Sequence, residues 1–283
     1  MSLEESKSLI EKNPIKHFLL GPWTIWLNIK KYNYLINNFV MRDLRLKYRN
    51  SFMGYIWSLL EPLLLAGVYY LLFIIIANNP EERYPLWVIL GVLTWSFFAR
   101  SLNRAITSLT QNSAMIKQIY FPRELFVINA VGSNLVITVL SLLVAIPFMF
   151  YFNISPTLYL LMVPLGLILS SFLALGIGLL LAPLNVINRD VEHFFRFITR
   201  AGFFLSPVMW TIEMVPKSRE AVLDYLLLNP MVVPITMVRN GIDGQAMNID
   251  IFYVIYSTVF CTSSLIIGAM VFKRFEAEVV KKL

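Results

Sequence analysis

Arg42, Arg45, Lys47 and Arg49 set four cations just ahead of an apolar run that opens near Tyr55. Arginine presents a planar fork of N–H donors that suits phosphate oxygens, often two at once. The plain alternative is an anchor that holds acidic lipid headgroups at a membrane surface. Inside the run stands Glu61, followed by Pro62. If the run meets lipid near Trp57, Glu61 lies about 6 Å further in at helical rise. A carboxylate there is costly unless it meets a cation, so a structural ion pair is expected, with a hinge at Pro62 as the alternative.

Catalytic chemistry is missing from the pattern. There is no G-x-x-x-x-G-K-[ST] phosphate loop and no H-E-x-x-H metal pair. His17 and His193 are too distant in sequence to imply a site, and a lone cysteine, Cys261, excludes an intrachain disulfide. No catalytic residue and no metal site are expected. Arg189 and Asp190 read as a cytoplasmic ion-pair element.

Composition sets the class. The 283 residues are 58% hydrophobic and 14% charged, with mean hydropathy +0.67. A soluble domain carries about 25% charged residues, so this is an integral membrane protein. The net charge of +7 reads as loop charge rather than nucleic-acid binding. Six segments approach the roughly 20 apolar residues of a spanning helix: about Tyr55–Ala77, Pro85–Ala105, Phe126–Phe152, Leu158–Pro183, Phe194–Thr211 and Ile251–Phe272. With both termini cytoplasmic, 20 of the 24 Lys and Arg fall on the inner side; Arg83, Lys217, Arg219 and Arg239 do not. That bias predicts both ends inside.

Two segments are not expected to span. In residues 1–54, a cytoplasmic N-terminal segment, Ile25, Ile29, Tyr32, Ile36 and Phe39 recur at helical spacing and predict an amphipathic helix along the membrane surface. Between the fifth and sixth spans, 212–250 holds two short apolar pieces separated by Asn229-Pro230. They predict re-entrant helices from the outer face, with a surface-lying hairpin as the alternative. Residues 273–283 form a cytoplasmic tail. The small residues Gly132, Ser133, Gly166, Ser170, Gly176 and Gly178 would let helices approach closely.

Four stretches then resemble one family. RDLRLKYRNSFMGYIWSLLEPLL, IKQIYFPRELFVI, NRDVEHFFRFITRAGFFLSPVMW and LLLNPMVVPITMVRNGI occur in order from Arg42 to Ile242. They resemble the permease subunits of ABC-type exporters of polysaccharide, O-antigen and teichoic acid, the ABC type-2 permeases. The resemblance implies a homodimeric pathway in the inner membrane, driven by a separate pair of ABC ATPase subunits that bind ATP and Mg, so this chain needs no cofactor. Its implied substrate is a glycan on a polyprenyl pyrophosphate. On that reading Arg42, Arg45, Lys47 and Arg49 capture the pyrophosphate headgroup. Asn112–Glu124 would dock the ATPase through an exposed apolar surface (Ile116, Tyr120, Phe121) rimmed by Lys117, Arg123 and Glu124. Tyr69, Tyr70, Trp95, Phe203 and Phe204 are candidate pathway aromatics, against the plain reading of ordinary packing. An ion-driven flippase of lipid-linked sugars and a membrane scaffold for glycosyltransferases remain as alternatives.

Overall fold

The structure, a computed structural model, describes residues 18–47, 49, 53–57, 60–61, 63–65, 67–68, 71, 81–118, 121–216 and 220–282. The expected span 55–77 lies largely outside the described residues, as do Pro62, Tyr69, Tyr70 and Tyr120. Every regular element among the described residues is helical. Two helices, α1 (Gly21–Lys31) and α2 (Asn33–Lys47), precede the long helix α3 (Tyr84–Gln111) and the short α4 (Ser113–Gln118). Next comes α5 (Glu124–Ser141), which continues through a 3-10 turn into α6 (Ala145–Tyr151). Then follow α7 (Met162–Ile187), α8 (Asp190–Leu205), α9 (Glu220–Leu227), α10 (Val232–Asp243) and α11 (Ile251–Lys282).

Among the described residues, four stretches are long and apolar enough to cross a membrane: Tyr84–Gln111, Glu124–Tyr151, Leu158–Ile187 and Ile251–Val279. Several of their buried hydroxyls are met by a carbonyl one turn back in the same helix, as an apolar surround favours. Thr94 donates to the Leu90 carbonyl at 2.8 Å, Thr138 to Asn134 at 2.9 Å and Ser170 to Gly166 at 2.9 Å. The central helix is α3, whose apolar window is 72% buried against 22% for α11. The expected fifth span is shorter than predicted. Its helix, α8, has 16 residues and ends at Ser206, where the backbone turns extended. That gives roughly 24 Å of rise, short of a 30 Å hydrocarbon core. In the other direction, Pro183 sits inside α7 instead of ending it.

The apolar stripe on the N-terminal segment is present but has protein beneath it. Ile25 and Phe39 are buried, and Ile29, Tyr32 and Ile36 pack with them against Phe126, Phe272 and Val279. The stripe is shared by α1 and α2, which break at Tyr32. Between α8 and α11, helix α10 is buried over most of its length against α3 and α7, which removes the surface-hairpin alternative for this piece. It ends at Gly244, whose φ of 72° provides the left-handed C-cap.

Arg239 of α10 organises the irregular stretch after α8. Its guanidinium donates to the carbonyls of Pro207 (2.5 Å), Val208 (3.3 Å) and Trp210 (3.3 Å), while the Tyr84 hydroxyl donates to Met209 (2.7 Å). A non-helical backbone inside an apolar body survives because those carbonyls are all met. The carboxylate of Asp243, one turn on, accepts from the Arg83 guanidinium at 3.0 Å and the Trp87 indole at 2.9 Å.

The most extensive contact among the described helices, α7 against α11, is set by backbone approach. A Cβ on Gly268 would stand 2.0 Å from the Gly176 carbonyl oxygen, and one on Gly176 would stand 2.4 Å from the carbonyl carbon of Ser264. Gly178 leaves similar room for the Ala105 side chain. Gly268→Val is therefore expected to cost at least ~1–3 kcal/mol and lower the thermal midpoint in detergent. Gly132→Ala is the matched control, because its added Cβ meets only Val40 Cγ2 at 3.5 Å. It should stay within about 0.5 kcal/mol of the parent. Equal melting of the two variants would contradict the backbone crossing.

Candidate functional site

The four predicted cations sit at the C-terminal end of α2 and just past it, and Asp43 between them decides their arrangement. Asp43 is buried. Its Oδ1 accepts from Arg42 Nε (3.1 Å) and Nη2 (2.9 Å), and its Oδ2 from Arg104 Nη2 (2.5 Å) and Asn129 Nδ2 (2.7 Å). Asn129 Oδ1 in turn accepts from the Ser133 hydroxyl at 3.2 Å. One carboxylate thus ties α2 to α3 and α5. Four donors hold the buried carboxylate in place, and removing it would strand two guanidiniums. Arg42 also lies 4.9 Å over the Phe39 ring.

Around this tie the charge is strongly positive. Arg45, Lys47 and Arg49 are exposed on α2 and the turn after it. Arg100 and Arg104, one turn apart on α3, face the same region, each with just over a third of its side chain exposed. Burial of part of its stem, and then the Arg100 charge, hold the Lys47 ammonium below its ordinary pKa, with Glu61 pulling the other way. Glu61 finds the cation expected for it: Arg100 stands at 3.9 Å, but Glu61 keeps most of its side chain exposed. The result is a cluster of six cations against Asp43 and Glu61. Arg100, Arg104 and Asp43 were not singled out from the sequence. The signal was the i, i+4 arginine pair at the end of a span, beside a carboxylate within the basic run.

The expected ATPase-docking surface is largely turned inward. Ile116 and Phe121 are buried, with Phe121 packed on Phe39 (6.0 Å between centroids) and Phe126 (5.1 Å). Glu124 is fully buried, accepting from Lys273 Nζ at 2.8 Å and from Asn28 Nδ2 at 2.8 Å. Arg123 reaches Glu276 at 3.2 Å, and Glu276 also meets Lys273 at 2.9 Å. These residues join α1, α5 and α11; the apolar pair covers the core from below, because α1 and α2 lie against it. Lys117 is exposed.

The pathway aromatics divide. Trp95 is buried, donates from its indole to the Thr199 carbonyl at 3.2 Å, and fits against α8 because Gly202 has no Cβ. It nevertheless lines an apolar groove of about 520 Å³ with Phe98, Leu102, Tyr225 and Phe260. Phe203 packs against the core, while its neighbour Phe204 is 68% exposed. The Arg189–Asp190 ion pair does not form among the described residues. Asp190 opens α8, where the Asn188 side chain accepts from its backbone N–H at 2.9 Å, and both charged side chains point to solvent. No group of three or more metal-ligating side chains occurs among the described residues.

The chain is similar to proteins of one kind. It is 28% identical over 252 residues to the O-antigen export system permease protein RfbA of Klebsiella pneumoniae, an alignment that covers 87% of this chain and 95% of that protein. An RfbA permease of Myxococcus xanthus is 28% identical over 202 residues, covering 71% of this chain and 77% of the relative. The polysialic acid transport protein KpsM of Escherichia coli is 24% identical over 250 residues, 83% of this chain and 91% of KpsM. A family model described as ABC-2 type transporter matches residues 34–242, and with that span covered the chain belongs to the ABC-2 type transporter family.

Proposed function

We propose that this chain is the membrane subunit of an ATP-driven exporter that moves a lipid-linked polysaccharide out of the cytoplasm across the inner membrane. Near-complete coverage of an O-antigen export permease carries the reading. Two copies form the pathway, and a separate pair of ATPase subunits binds ATP and Mg. Each copy has six spans, 55–77 and Phe194–Thr211, the latter made of α8 and the extended stretch after it, completing the four long ones, with both termini cytoplasmic. The N-terminal 1–54, with α1 and α2, lies at the inner interface, 212–250 re-enters from outside, and 273–283 is a cytoplasmic tail.

In this reading the cationic cluster meets the anionic head of the lipid carrier. Asp43 uses part of the charge of Arg42 and Arg104 to hold them in place, and their outer edges remain open. Arg45, Lys47, Arg49 and Arg100 supply the surplus. A pyrophosphate attracts this surface more strongly than singly charged lipids do, since each added unit of charge feels the same field. Capture at α2 then leads to an aromatic path that includes Trp95 and Phe204.

Drive from the ATPase enters next to α4. Phe121 lies under Phe39 of α2, and Asp43 is one helical turn further along α2. A push on the α4–α5 link is therefore delivered to the helix that carries the capture charges. Lys117, exposed on α4, is a side chain that a partner can reach.

Two experiments test the reading. Replacing Arg45, Lys47 and Arg49 together by Gln leaves the Asp43 tie intact and removes three surface charges. At ~1 kcal/mol per charge near an anionic headgroup, affinity for polyprenyl-pyrophosphate glycan in nanodiscs should fall roughly 100-fold. Unchanged affinity and export would discard headgroup capture. Lys117→Glu should leave the permease folded but sharply reduce co-purification of its ATPase and the glycan-lipid response of ATP hydrolysis. If no ATPase joins even the parent protein, the exporter reading itself is wrong.

A further inference from the structure

At the end of the molecule opposite the cationic cluster lies a cavity of about 570 Å³ between the start of α3, the Thr211–Glu213 stretch and the end of α10. Trp87, Thr211, Glu213, Arg239, Asn240 and Asp243 contribute to its walls. Its size falls within the range of small-molecule sites, about 300–1,000 Å³. We propose that this cavity binds an uncharged sugar unit of the transported glycan on the far side of the membrane, a proposal that rests on the export reading.

Three observations select that ligand class. First, Thr211 is buried in the wall, and its Oγ1 has no hydrogen-bond partner among the described residues. A buried hydroxyl left unmet costs about 1–3 kcal/mol, a cost that a ligand hydroxyl would relieve once the side chain turns toward the cavity. Second, the cations of the cavity are already engaged. Arg239 is held by backbone carbonyls, and Arg83 is paired with Asp243. Glu213 and the neighbouring wall residues Glu81 and Glu82 are exposed, which leaves the cavity acidic. A polyanion would be repelled, while a neutral sugar would be accepted by the carboxylates as a hydrogen-bond donor. Third, the side-chain amides of Asn240, Gln245 and Asn248 and the Trp87 ring supply the mixed polar and aromatic lining that sugars use. The wall carboxylates do not form a metal-binding group among the described residues.

The test is saturation-transfer NMR on the full-length protein in phosphatidylethanolamine–phosphatidylglycerol nanodiscs, which contain no glycolipid. The probes are mannotetraose, galactotetraose and a sialic acid tetramer at equal concentration. A neutral tetramer should receive clear transfer and the anionic one much less. Thr211→Val, which keeps the shape and removes the hydroxyl, should weaken neutral binding about 5–10-fold. Glu213→Gln lies on an exposed side chain and should narrow the preference against the anionic probe, so the proposal stays testable even if Thr211→Val melts early. No transfer to any probe, equal transfer to neutral and anionic probes, or unchanged binding in both variants would overturn it. Failure here beside glycan-dependent ATP hydrolysis would remove this site and leave the export reading standing. Binding here in a protein that recruits no ATPase would do the reverse.

Discussion

An ion inside an apolar bundle is tolerable only with its partners beside it, and Asp43, Glu124, Arg239, Asp243 and Lys273 are buried in this one. They do not scatter. Asp43 with Arg104, and Glu124 with Lys273, lie toward one end; Arg239, with Asp243 and Arg83, lies at the other. Along α3 the distance from Arg83 to Arg104 is roughly 30 Å at helical rise, the thickness of a hydrocarbon core. From Tyr84 to Ala99 the same helix carries no charged residue. The fold therefore spends its buried charge at two planes and keeps the slab between them free of it.

The two planes are electrically unlike. At the first, six cations face Asp43 and Glu61. At the second, among the described residues, Arg239 is committed to carbonyls and Arg83 to Asp243, and Glu81, Glu82 and Glu213 are exposed. An anionic headgroup is attracted to the first plane and repelled by the second.

What was legible in the sequence was whatever composition and periodicity carry. The apolar class, the stripe Ile25–Ile29–Tyr32–Ile36–Phe39 and the glycines Gly166, Gly176 and Gly178 at helix crossings have counterparts in the packing, whereas Gly132 meets no close neighbour. Four of the six expected spans appear as long apolar helices. What was not legible depends on which surfaces meet. Ile116 and Phe121 look like a surface patch because a linear pattern shows apolar residues near charges, and cannot show that α2 lies against them. Glu124 looks like a rim carboxylate for the same reason; its partners, Asn28 and Lys273, are far away along the chain. The Arg189–Asp190 pair was inferred from adjacency, yet neighbouring helix residues point about 100° apart and rarely meet. Gly268 escaped notice because its need for no side chain is imposed by Gly176 on another helix.

The same reasoning explains why α2 is suited to transmit motion. It holds two unlike contacts one turn apart. Phe39 stacks on Phe126 and touches Phe121, a contact that can slide because ring packing has a broad minimum. Asp43 is fixed by four donors from its own helix, α3 and α5, a contact that breaks or holds. A displacement arriving at Phe121 can thus tilt α2 about its carboxylate tie without releasing it. Arg45, Lys47 and Arg49 lie just beyond that tie, closer to it than Asn33 at the start of α2, so a tilt moves them less than that end and in the opposite sense. On the proposed reading the buried carboxylate is the pivot, and the exposed cations are the short arm that a bound headgroup would feel.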